Sequence, residues 1–153
     1  EGTNGVQSQD LIGRKTIKCN GAYVAEYIEE IRDFANGLDA DLNFIKDATL
    51  DAATEVADLT QFVLAQAAEN VEFPNAAAVD YLHAVGLLSF AYMFARIANA
   101  AKDKDGEFFQ NKLALAQYFA QRILPELDMR IAKVKAGSDL IMNFSEDYFT
   151  SQA

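Results

Sequence analysis

Cysteine is almost absent: Cys19 stands alone among 153 residues. No intrachain disulfide can form, and a reducing, cytoplasmic setting is the natural expectation. Proline and glycine are scarce too, at two and eight residues, so long uninterrupted helices are permitted. Strand formers are thin, because β-branched residues are scattered among alanine, leucine, glutamate and lysine, which favour helix. Basic residues are outnumbered 13 to 23 by acidic ones, for a formal net charge of −10. A surface of that sign repels phosphate, which argues against nucleic acid and anionic membranes as partners and against independent binding of coenzyme A. No apolar run of roughly eighteen residues stands out, so no membrane span is expected. No charged-then-apolar leader precedes the first helical pattern. The opening residue is Glu1 rather than methionine, and the chain is read as a processed or excised piece.

What is present is an ordinary globular balance, 51% apolar and 24% charged, sufficient for one core. Residues 1–18 are polar and glycine-punctuated, with a short helix expected over residues 4–11. Asn20 is a reasonable cap for the next helix. Val24, Ile28, Ile31, Ala35, Leu38, Leu42 and Ile45 then follow in alternating steps of four and three. That spacing draws one apolar stripe, widened by Tyr27 and Phe34 and continued by Val56, Leu59, Val63 and Ala67. Gly37, with Asp39 as a following cap, is the preferred break in this stretch, and residues 46–51 are the alternative.

Residues 70–75 are the clearest punctuation, with Pro74 suited to the first turn of a new helix. Over residues 76–102 the pattern is apolar nearly all round (Val79, Leu82, Val85, Leu87, Leu88, Phe90, Tyr92, Phe94, Ile97), as for a helix covered on several sides. After a charged turn at 102–106, a last long helix is expected over 107–136. Phe109, Leu113, Ala116, Ala120, Ile123, Leu127, Ile131 and Val134 face inward in that reading. Pro125 should kink it, Gly137 should end it, and Ser138 should cap one further turn before Phe144, Tyr148 and Phe149. The expected architecture is all-α, an antiparallel four-helix bundle with a short N-terminal helical segment.

The opening run Glu1-Gly2-Thr3-Asn4-Gly5-Val6-Gln7 resembles the segment around the catalytic base of the acyl-CoA dehydrogenases. Residues 10–15 (DLIGRK), 112–119 (KLALAQYF), 122–126 (RILPE) and 135–142 (KAGSDLIM) are similar to stretches of the longer members, which carry an extra carboxy-terminal domain. The resemblance implies that residues 1–18 are the tail end of a catalytic domain and residues 19–153 a helical extension. It implies FAD as the parent's cofactor and an acyl-CoA thioester as its substrate. Glu1 would be the general base that takes the α-proton, a task for which a water-poor cleft raises carboxylate basicity. Gly2 would lie against substrate and flavin, and Thr3 would contact the FAD. Gly5 departs from the family pattern, where glutamate or glutamine can also approach the cofactor. The implied partners are the amino-terminal catalytic portion and further copies in a homo-oligomer. The piece alone is then a structural and interface module without activity. The alternative is a free-standing helical binding or assembly protein.

Other chemistry is weaker. Asp80 and His83 have the i, i+3 spacing of carboxylate-bridged metal bundles, but the single histidine has no second motif and only Glu55 is a tolerable further ligand. No metal is expected, and His83 fits better as a hydrogen-bonded bundle residue. The aromatics between Phe90 and Phe94 suit core or interface rather than a ligand box. Arg130, Lys133 and Lys135 offset a helix-end dipole. Cys19 lacks a nearby histidine and is not expected to act as a nucleophile.

Overall fold

A computed structural model describes residues 3–145 and 147–150, and no strand occurs among them. The fold is an all-α bundle of four main rods with a helical segment leading into it. That segment is α1 (Asn4–Gln9), which continues without a break into a π-helical stretch, Asp10–Ile17. Helix therefore runs well past Leu11. The wide turns are visible in the amides of Lys18 and Gly21, which donate to carbonyls five residues back, at Gly13 (2.9 Å) and Thr16 (2.8 Å). Ile12 and Thr16, four apart, are fully buried against the bundle.

The first rod is α2 (Ala22–Asn36), and its N-cap is Gly21 rather than Asn20. Two successive left-handed residues, Asn20 at φ 49° and Gly21 at φ 74°, reverse the chain here. Glycine suits the second of them because it carries no Cβ to clash. The chain turns at Gly37, passes a 3₁₀ turn (Ala40–Leu42), and enters α3 (Asn43–Glu69). Residues 46–51 stay helical. Lys46 helps to close this corner, since its Nζ donates to the carbonyls of Asn36 and Leu38, both at 3.2 Å. The Asn36 carbonyl is one of the end-of-helix acceptors that have no partner within the helix.

The third rod, α4 (Phe73–Ala101), has Pro74 in its first turn. It packs against α1, α3, α5 and α6, and more lightly against α2. Seven buried alanines, at 77, 78, 84, 91, 95, 98 and 101, let these neighbours come close. Among the described residues α4 alone is long and apolar enough to cross a bilayer by length and composition, although no membrane span is expected from the sequence. Packing against several helices accounts for that apolar character.

The fourth rod is bent: α5 (Glu107–Tyr118), a π turn (Phe119–Ile123), then α6 (Glu126–Lys135). The proline effect is more than a kink. Pro125 cannot donate an amide, and just before it the Leu124 amide reaches back five residues to Phe119, at 2.9 Å. Gly137, at φ 76°, ends the rod. Ser138 precedes the short α7 (Asp139–Met142) but makes no side-chain cap bond. Its buried hydroxyl instead accepts from Asn70 Nδ2 at 2.9 Å, tying the end of α6 to the α3–α4 corner. A last turn, α8 (Asp147–Thr150), follows.

Cross-links fix the directions. Asp80 meets Arg130 near the start of α4 and the end of α6, while Phe94 stacks on Phe119 farther along α4. The two rods are therefore antiparallel. Lys102 pairs with Asp39 at the other end of the bundle. Val24, Ile28, Ile31, Ala35, Leu38, Leu42, Ile45, Val56, Leu59 and Val63 are all buried as the stripe required, while Ala67 is only half-buried.

Candidate functional site

Glu1 and Gly2 lie outside the described residues. The site begins for the structure at Thr3, whose carbonyl accepts from the Gln7 amide at 2.8 Å and starts α1. Thr3, Asn4, Gly5, Val6 and Gln7 are all exposed. Ser8 is the first residue to turn inward, its hydroxyl donating to the Gly5 carbonyl at 2.8 Å. No atom lies within 4 Å of where a Gly5 Cβ would be, so nothing in the surrounding fold forces glycine there. Five successive exposed residues form an edge and cannot enclose a flavin ring. The described residues supply no walls for that cofactor around Thr3.

What the fold does build is a firm attachment for that edge. Thr16 donates to the phenol oxygen of Tyr81 (3.3 Å), Tyr81 bonds Thr60 (2.9 Å), and Thr60 donates to the carbonyl of Val56 (2.7 Å). Since the Thr60 proton is committed to Val56, Tyr81 is the donor to Thr60, and the hydroxyls run in one direction. All three side chains are buried. Burial pushes the Tyr81 phenol above its ordinary range, and the two threonine bonds only partly offset that. The Thr16–Tyr81–Thr60 chain ties the segment after the exposed edge to α4 and α3 at once.

The remaining candidates do not converge. Asp80 accepts from Arg130 Nη1 at 2.8 Å and lies 4.0 Å from Lys133. Part of the basic cluster is thus a cross-bundle ion pair rather than only a dipole partner. His83 is exposed, not an interior hydrogen-bonded residue, because its register falls on the outward side of α4. Glu55 is remote from both and borders a groove with Asp51, Leu124, Pro125 and Asp128. Its carboxyl is pushed above the usual range by burial first, then by Asp128 and Asp51. No group of three or more potential metal ligands occurs among the described residues.

The aromatic run divides around the helix. Phe94 stacks on Phe119 at 4.6 Å, whereas Tyr92 points the other way, edge-on to Tyr27 and Phe34, and donates to Glu30 at 3.0 Å. Cys19 is half-buried and its thiol donates to the Arg14 carbonyl, at 3.5 Å. Sequence reasoning missed Tyr81 and Thr16. They join across 65 positions, and a helix apolar nearly all round offers no polar face from which to orient its tyrosines.

The described residues form an all-α helical bundle whose first segment presents an exposed edge. Residues 27–145 match the family profile described as acetyl-CoA dehydrogenase C-terminal like. The chain belongs to that family, and it is a carboxy-terminal acyl-CoA dehydrogenase segment. It is 28% identical over 153 residues to the 3-methylmercaptopropionyl-CoA dehydrogenase of Ruegeria pomeroyi, covering 95% of this chain and 26% of that protein. To a broad-specificity linear acyl-CoA dehydrogenase of Mycobacterium tuberculosis it is 27% identical, with 97% and 27% covered. To the butyryl-CoA dehydrogenase of Syntrophomonas wolfei it is 26% identical, with 97% and 26% covered. The chain spans about a quarter of the length of these curated relatives.

Proposed function

We propose that this chain is the carboxy-terminal buttress of an FAD-dependent acyl-CoA dehydrogenase and is inactive alone. Residues 1–18 are the tail of the catalytic domain and residues 19–153 the extension. In the parent, Glu1 would stand as the base for the α-proton of an acyl thioester, and bound FAD would supply the acceptor for hydride from the β-carbon. Gly2 lies against substrate and flavin, Thr3 contacts the FAD, and the amino-terminal catalytic portion supplies the remaining walls. The parent is a homo-oligomer, and the extension works as a structural and interface module within it.

The observation that carries this reading is the Thr16–Tyr81–Thr60 chain. It anchors, in the core of the bundle, the segment that directly follows the residues matching the catalytic-base motif. The family match and the dehydrogenase names of the relatives support the same reading. An edge held from behind keeps its geometry, and catalytic rates depend steeply on placement of the base.

The test is to read the coding frame ahead of residue 1 and to assay the whole polypeptide with acyl-CoA and an electron acceptor. A flavoenzyme encoded upstream, with activity that falls when residues after Lys18 are removed, is the expected result. Full activity without those residues would refute the buttress role. Absence of any dehydrogenase upstream would favour a free-standing helical binding protein.

A further inference from the structure

The charge of the molecule is sharply segregated. Residues 22–72 hold 12 acidic and two basic side chains, equal to the entire net charge of −10, whereas residues 73–136 hold six acidic and eight basic ones. The acidic half is an ordinary solvated surface. The other half carries a largely apolar stripe that the described residues leave uncovered. Along α4, Val79, His83, Gly86, Phe90, Met93 and Ile97 alternate in steps of four and three, the geometry of a packing seam. Yet Phe90 is 58%, Met93 40% and Ile97 37% exposed. Ile97 shares a shallow cavity with Phe108 of α5, itself 64% exposed. Phe90 edges an open groove of about 430 Å³ between α4 and α6. In the wall of that groove Arg130 has its Nη1 on Asp80, while its Nε is buried with no hydrogen-bond partner among the described residues.

An exposed, largely apolar strip on a charge-balanced side, bordering an open groove, has the composition of an interface. We propose that the α4 stripe and the α4–α6 groove are the surface covered by the polypeptide that precedes residue 1. The proposal rests on the functional reading above and adds which face is covered and by what. About three quarters of each relative's length lies outside the matched region. The preceding polypeptide joins at residue 1, and α1, which follows at once, packs on α4 itself. A body tethered there acts at an effective concentration of about millimolar. A second copy must instead associate from dilute solution, so the tether decides the occupant.

Methionine oxidation reads this directly, because Met93 lies in the stripe. A Tyr23→Met variant supplies a reference on exposed α2, in the acidic half. Oxidation by peroxide is followed by mass spectrometry in residues 1–153 alone and in the whole polypeptide. Both positions should react readily in the isolated chain, which should sediment as a monomer. In the whole polypeptide Met93 should slow roughly tenfold relative to position 23, since sulfoxide formation follows exposure. An unchanged ratio overturns the proposal. So does an isolated chain that dimerises and protects Met93, which would make a second copy the occupant. If no dehydrogenase is encoded upstream, the functional reading falls and this falls with it. If an active one is encoded and the ratio is unchanged, the docking proposal alone falls.

Discussion

Tyr81 heads the largest fully buried side chains of the protein, and its hydroxyl stands between two threonines in a low-dielectric interior. Replacing it as Tyr81→Phe keeps the ring and removes the middle of the hydrogen-bond chain. Thr60 retains Val56 as acceptor, but Thr16 loses the acceptor of its buried hydroxyl. The expected loss is about 1–2 kcal/mol in urea unfolding, with helix content unchanged by circular dichroism. Gly21 is the other residue whose identity is dictated locally. An added Cβ would meet Leu64 Cδ1 at 3.2 Å while the backbone stays at φ 74°. Gly21→Ala should therefore cost about 1–2 kcal/mol in the same assay. The sequence suggests Asn20 as the cap, and the assignment of the cap to Gly21 could not be read there. It depends on two consecutive left-handed residues, which composition alone does not distinguish from a side-chain cap.

Among the elements α4 was the easiest to find and the hardest to orient. Its length and proline-led start followed from residues 70–76, but apolar side chains on every side left its register undetermined. Leu88 and Phe90, two positions apart, take opposite fates: Leu88 is fully buried and Phe90 mostly exposed. Leu88→Ala should cost about 2–5 kcal/mol by opening a cavity against packed neighbours. Phe90→Ala in the isolated chain should cost less than about 1 kcal/mol, and thermal melts of the two variants separate these outcomes. The bent rod shows a different limit. Pro125 located the irregularity, yet the response was a π turn at Phe119–Ile123 rather than a simple bend. That response swings Phe119 onto Phe94, a contact between residues 25 positions apart in sequence.

For the molecule as a whole, charge placement has a consequence for pH. Glu55 on α3 is partly desolvated and faces Asp128 of α6 as well as Asp51, so its folded-state pKa lies above the usual 4.5. A carboxyl raised on folding favours the folded state when protonated. Its stabilising contribution is complete below the unfolded value and is lost as pH rises through the higher folded value. Glu55→Gln should therefore raise the melting temperature at pH 7. The advantage over the wild type should vanish once pH drops below about 4, and melts across a pH series check both limbs. Asp39 works in the opposite sense. Its contact with Lys102 holds its carboxyl below the usual range, so that pair weakens on acidification.

Local sequence alone determined that the protein is helical, where its corners fall, and which residues of the first long stripe are buried. Those properties depend on spacing within a turn or two of chain, and periodicity reports them directly. It also carried the family resemblance, because motifs such as residues 122–126 are contiguous. Only the tertiary structure decided the Thr16–Tyr81–Thr60 chain, the Asp80–Arg130 pair, and the side of α4 left uncovered. Each joins residues 21 to 65 positions apart or depends on which neighbouring helices occupy the other faces. Packing chooses among apolar faces that hydrophobicity alone ranks as equivalent.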